Sequence, residues 1–177
     1  MGANKNLKNL GTAMVIIAVC FFVFMQIVPS INSSSPKFSK SSSKNTFEPT
    51  FLKEGIGYFS NDVGDTIAEF QIELAESNRE IQIGMMWRKS MSKDMGMLFL
   101  MPEEKIQSFW MKNTYVPLDI IYINSERRIV SIIDNAKPMS ENPMPSMEPA
   151  NFILEVSGGT CAKLGIKPGN LWRWKRN

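Results

Sequence analysis

The chain has 177 residues, enough for one domain with a core plus a short appendage, and its 44% apolar and 21% charged content is ordinary for a globular protein. It contains no histidine, which excludes Ser-His and Cys-His nucleophile pairs and histidine zinc ligands. The net charge of +3 is segregated: residues 1–46 hold Lys5, Lys8, Lys37, Lys40 and Lys44 and no acid, which leaves 15 of the 20 Lys and Arg against 17 Asp and Glu, a net −2 for the remainder, and a body so nearly neutral offers no electrostatic footprint for nucleic acid.

Residues 1–10 read as a cytoplasmic amino-terminal segment. Gly11 to Val28 is an uncharged apolar run of 18 residues, about 27 Å long as a helix and therefore about one hydrocarbon core. No Ala-x-Ala-like site comes after it, so an uncleaved transmembrane signal-anchor is expected rather than a cleaved signal peptide. Cys20 lies inside this run behind bulky Val19 and ahead of Phe21 and Phe22, which argues against lipidation and against pairing with Cys161, the other cysteine. Lysines flank both ends of the span, so charge alone leaves the orientation open. Basic residues just ahead of so early a span favour export of the domain beyond it. The expectation is a single-pass inner-membrane protein with its carboxy-terminal domain extracytoplasmic, or periplasmic. Residues 29–46 are Ser-rich, without a core-forming pattern, and read as a solvated tether.

Residues 47–177 form the predicted folded body. Gly55 to Phe59 and Thr66 to Ala75 alternate with period two around the turn chemistry of Asn61 to Asp65, which predicts a hairpin. Ser77 with Glu80 fits a capping box and opens a helix to about Met86. Gly96 to Met101 reads as a buried strand stopped by Pro102. Gln107 to Lys112 reads as a strand with Phe109 and Met111 on one face and Ser108, Trp110 and Lys112 on the other. Pro117 then breaks the ladder, and Leu118 to Ile123 makes a hairpin with Arg128 to Asp134. Residues 136–149 carry four prolines and read as a long loop. A strand from Phe152 to Val156, a helix capped by Thr160 and ended by Gly165, a type II turn at Lys167 to Asn170 and a last strand from Leu171 to Trp174 complete the body. About eight short strands and two short helices make the fold mainly β (α+β), a compact barrel or sandwich.

Several of these segments carry a resemblance. Gly84-Met85-Met86-x-Arg88, Gly96-Met97-Leu98-Phe99, Ser108-Phe109-Trp110-Met111-Lys112-Asn113-Thr114 with Pro117-Leu118-Asp119-Ile120, Leu154-Glu155-Val156 and Gly165-Ile166-Lys167-x-Gly169 together resemble the domain of unknown function 192 family. The match runs over roughly residues 55–172. The resemblance implies a small prokaryotic β-barrel-like domain, often exported or membrane-tethered, and brings no established reaction. In some members of the family it resembles, the proline-rich loop carries a cysteine pair and an aromatic, and Met139, Met144 and Met147 stand at the corresponding places here.

Three groups of residues could carry chemistry. The first is polar: Arg88, Trp110, Lys112, Asn113, Thr114, Asp119 and Glu155 could line a small pocket for a sugar, a carboxylate or a peptide end, with a Lys112–Asp119 contact and Trp110 as a wall. The plainer alternative is a set of salt bridges that satisfies the irregular backbone around Pro117. The second is enzymatic, with Asp119, Lys112 and Glu155 as acid–base groups. The third is Met139, Met144 and Met147, whose thioethers suit Cu(I), against the plainer role of methionine as core filler. No cofactor and no nucleic-acid partner is expected. The leading expectation is a membrane-anchored binding or accessory module with the first group as its site; the biochemical function itself is not encoded in any motif.

Overall fold

A computed structural model describes residues 48–177. The expected anchor and tether lie outside the described residues. Among the described residues no helix is long and apolar enough to cross a membrane.

β1 (Gly55–Ser60) and β2 (Thr66–Ala75) form the expected antiparallel hairpin. Asn61 shapes its turn, its Oδ1 accepting from the N–H groups of Val63 and Asp65 at 3.2 and 2.8 Å. α1 (Asn78–Ile83) starts at the predicted capping box, with Glu80 N–H donating to Ser77 Oγ and Ser77 N–H to Glu80 Oε2. It serves as the crossover to β3 (Met95–Lys105), which pairs parallel with β2. The strand does not stop at Pro102. It runs on to Lys105, because the pairing with its neighbour is already irregular between Leu100 and Lys105 and no ladder N–H is demanded there.

The expected strand over Gln107 to Lys112 shrinks to β4 (Ser108–Phe109), which pairs with β7 (Met144–Pro145) inside the proline-rich loop. The chain turns at Asn113, which takes φ +54°, a conformation asparagine tolerates better than most residues. β5 (Leu118–Ile123) and β6 (Ile129–Ala136) form the second expected hairpin, and β8 (Ala150–Ser157) lies between β5 and β3. α2 (Thr160–Leu164) is N-capped by Gly159 and not by Thr160, and Gly165 closes it in the left-handed conformation. β9 (Leu171–Arg176) pairs with β1.

Seven strands thus form one sheet in the order β6-β5-β8-β3-β2-β1-β9, beside the small β4-β7 pair. The fold is mainly β with two short helices, and the sheet is not closed into a barrel. Its two edges meet at one end only. A single bridge joins Arg128 to Leu171, Gly169 N–H donates to Ile129 O and Ile129 N–H to Asn170 O, after which β6 and β9 diverge.

The central strands are buried on both faces. Leu98, Ile121, Ile123, Leu154 and Val156 join Phe59, Phe70 and Trp172 in one core. Met97, Phe99, Leu118, Ile120, Tyr122 and Ile153 join Met85 and Met111 in a second, on the other face. Strand alternation sends neighbouring residues into different cores, which is why all six residues of β5 are buried. Gly57 is required by the first core: a Cβ there would stand 1.9 Å from the Trp172 ring.

Candidate functional site

Register decides what each polar residue can reach. Glu155 on β8 pairs across to Ile120 on β5 and to Met97 on β3, and Met97 pairs with Glu73 on β2. Glu73, Met97, Glu155 and Ile120 therefore form one row on the Met111 face, with the two glutamates about 10 Å apart at strand spacing. Asp119 pairs with Val156, one position on, and so points to the opposite face.

Asp119 is fully buried, and its oxygens are committed. Oδ1 accepts from Asn135 N–H at 2.7 Å and Gly159 N–H at 2.9 Å, and Oδ2 accepts from Cys161 N–H at 2.7 Å. The side chain ties the end of β6 to the start of α2. The donor atoms of Asp119, Asp134 and Cys161 lie within 4.8 Å of one another. That arrangement is a backbone clasp and not a metal centre: the Asp119 oxygens already hold three N–H groups, and burial, with Asp119 beside it, pushes the Cys161 thiol up into its protonated form. The expected Lys112–Asp119 contact does not form, and Asp119 and Glu155, separated by the sheet, cannot act as an acid–base pair.

Arg88 is held elsewhere too. Its two terminal nitrogens bridge Glu73 at 2.7 and 2.8 Å in a partly buried bidentate pair. It borders a separate recess of about 170 Å³ next to Glu48 and Met95. Sequence reasoning misses Glu73, which looks like any polar residue on the outer face of an alternating strand.

The remaining candidates converge. A cavity of about 220 Å³ lies on the Met111 face, between α1 with its following turn and the segment Gln107 to Thr114. Trp110, Lys112, Thr114 and Glu155 all line it, as do Phe99 and Phe109, which meet edge to face with centroids 4.9 Å apart. Trp110 is 45% exposed and stands at the rim, with the Lys112 ammonium 5.3 Å from its ring centroid. Lys112 Nζ also reaches Glu141 at 3.4 Å. Asn113 supports the rim without lining it: its carbonyl accepts Trp87 N–H at 2.8 Å. Trp87, Asn113 and Met139 all have positive φ, a cluster of backbone strain of the kind found around sites.

Glu155 is the unusual member. It is buried, and its Oε2 has no hydrogen-bond partner. Burial pushes its carboxyl up to about 8, against the opposing pull of Arg88, so at neutral pH it holds its proton. Tyr122, on the same face, is raised in turn by burial and then by Glu155, and its hydroxyl donates to Met144 O. Gly84, with φ +47° and ψ −130°, carries the chain past this group: a Cβ there would meet Phe99 Cζ at 3.0 Å and Glu155 Oε2 at 3.9 Å.

The three loop methionines do not share an anchor. Met139 N–H bonds Thr114 O, Met144 pairs with Phe109, and Met147 N–H bonds Ser131 Oγ. Met144 packs on the second core, while Met139 and Met147 are exposed.

Fold and site together define a small domain built on an open seven-stranded sheet, with a side pocket over a buried carboxyl. The chain belongs to the domain of unknown function 192 family, described as an uncharacterized ACR, whose model matches residues 59–174. It is similar to a solved protein of unknown function from Novosphingobium aromaticivorans DSM 12444, at 38% identity and a TM-score of 0.64 over 67% of this chain and 84% of that one. It is also similar to a solved protein from Sinorhizobium meliloti 1021, provisionally named a transcription regulator, at 37% identity and a TM-score of 0.66 over 72% of this chain and 98% of that one. No curated protein matches the chain.

Proposed function

We propose that the protein is a membrane-anchored, extracytoplasmic binding or accessory module whose pocket over Glu155 takes a small ligand. The anchor rests on the uncharged 18-residue run Gly11 to Val28, and the Ser-rich segment 29–46 would give the domain reach from the membrane. The observation that carries the binding reading is the buried, unpartnered Glu155 Oε2 in the cavity floor. A buried polar atom without a partner costs stability unless something else satisfies it. That group can accept from a ligand hydroxyl or amino group and, while it holds its proton, can donate to a ligand acceptor as well. The provisional name of the Sinorhizobium relative draws no support from the charge of this body, which has no basic surplus for DNA.

The test is a thermal-shift screen of the full-length chain in detergent against sugars, peptides and metals. A ligand present at 100 times its Kd is expected to add about 2.7 kcal/mol, or roughly 5–10 °C in Tm, and to lose the effect in Glu155→Gln. A panel in which nothing acts through Glu155 would overturn the reading. For the topology, a reporter fused after Asn177 that works only outside the cytoplasm is expected to be active, and a silent fusion would reverse the orientation.

A further inference from the structure

We propose that the cavity over Glu155 selects a primary ammonium group carried on a short apolar stem, with the ammonium on the Glu155 carboxylate and the stem against Phe99 and Phe109. This rests on the reading of the cavity as a ligand site and narrows it to one chemical class.

Three observations lead there. First, Glu155 has no cation in contact. Both terminal nitrogens of Arg88 are taken by Glu73, and Lys112 turns to Glu141 and the Trp110 ring. A ligand ammonium supplies both the donor and the charge that the buried carboxyl lacks.

Second, the buried polar side chains of the walls, Gln107 and Thr114, are already hydrogen-bonded. Gln107 Nε2 donates to Glu103 O and Ala150 O, both at 3.0 Å, and Thr114 Oγ1 donates to Lys112 O at 3.2 Å. A polyol such as a sugar would leave several hydroxyls unpaired in that setting, and each would cost affinity. Aromatic rings, Ile81, Ile83 and the thioethers of Met85, Met86 and Met101 supply surfaces that suit a cation and an aliphatic stem alike, while exposed Gln82 and Ser108 and half-buried Lys112 add polar groups open to solvent.

Third, about 220 Å³ has room for an ammonium and a stem the size of one side chain. Gly84 keeps the passage over the carboxyl free of a side chain.

Binding carries a proton signature. The other charged or titratable groups on this face are Arg88 beyond α1 with its partner Glu73 on β2, Tyr122 on β5 and Lys112 from the segment after β4. β3 presents uncharged Met97, and residues 81–86 present none. Burial brings the Glu155 carboxyl up to about 8. When an ammonium seats, Glu155 gives up its proton to solvent, one per ligand bound. Affinity should therefore rise with pH up to about 8, with binding roughly 50-fold tighter at pH 8 than at pH 6.

The experiment is titration calorimetry on the full-length chain in detergent, at pH 6 and pH 8, in buffers of different ionisation heat. The probes are phenethylamine, its neutral analogue 2-phenylethanol, the peptide Phe-Gly-Gly, and the same peptide N-acetylated. The expected result is that the amine binds and the alcohol does not, with the stated pH dependence, release of about one proton at pH 6 and loss of binding in Glu155→Gln. If the free peptide binds and its acetylated form does not, the ammonium can come from a peptide end; if only phenethylamine binds, the source is a small amine. Equal binding of the alcohol, lost in Glu155→Gln, would overturn the ammonium preference and leave the pocket reading standing. No binding by any probe, together with a screen in which nothing acts through Glu155, would overturn both. The acetylated control asks the question from the ligand side, so the result does not depend on how well the variant folds.

Discussion

Asp119→Ala is expected to destabilise the domain by about 4 kcal/mol, a fall in Tm of roughly 10–20 °C. The carboxylate is fully buried and accepts three backbone N–H groups, from Asn135, Gly159 and Cys161. Alanine would orphan all three at once, and each buried unpaired donor costs on the order of 1–3 kcal/mol, less whatever water can enter to recover. Asp119→Asn is expected to cost nearly as much, because one acceptor oxygen becomes an NH2 group facing an N–H. A urea titration reads the effect as a lower midpoint at unchanged slope. A midpoint shift equivalent to under about 1 kcal/mol for the alanine variant would mean that the clasp carries no weight. A residue that the sequence offers as a general acid or base is thus the anchor of α2.

The second large effect has the opposite sign. Glu155→Gln is expected to stabilise the protein at neutral pH, by up to about 3 kcal/mol at pH 7. The folded carboxyl keeps its proton up to about pH 8, whereas the unfolded one releases it near 4.5. Between those values the native state holds more protons than the unfolded state. The contribution of Glu155 is therefore whole below about pH 4.5 and is lost as pH rises towards 8. Glutamine keeps the shape and removes the titration. Thermal melts of both proteins from pH 4.5 to 8 are expected to converge at the acid end and to separate by roughly 10 °C at the upper end. Parallel profiles would show that Glu155 is not held protonated by burial. Stability given up at one buried, unpartnered group is the pattern expected where a site is kept ready for a ligand.

Much of the fold was legible in the residues themselves. The two hairpins, the Ser77–Glu80 capping box and the Gly165 helix stop are local patterns, written within a few residues, and they stand as expected. The motifs around Phe109 to Thr114 also carried the family, which the match over residues 59–174 bears out. The errors arose where local chemistry yields to pairing. Pro102 stops no strand because the ladder beside it is already broken. Gln107 to Lys112 supplies alternation but finds only a two-residue partner in β7, so most of it is turn.

The site divides the same way. Sequence alone determined that Trp110, Lys112 and Thr114 are neighbours, since one short segment holds them, and that Glu155 is an ionisable residue inside an apolar strand. It could not determine which face Glu155 and Asp119 occupy. That depends on β8 lying between β5 and β3 in one particular register, a pairing of segments roughly 30 or more residues apart in the chain. A shift of one residue would have put both carboxylates on one face. Nor could it assign Arg88 to Glu73, which only the β2-α1-β3 crossover brings together. Strand alternation is a local property. Which carboxyl is clasped by backbone, and which is left waiting in a pocket, is decided by the order and register of the whole sheet.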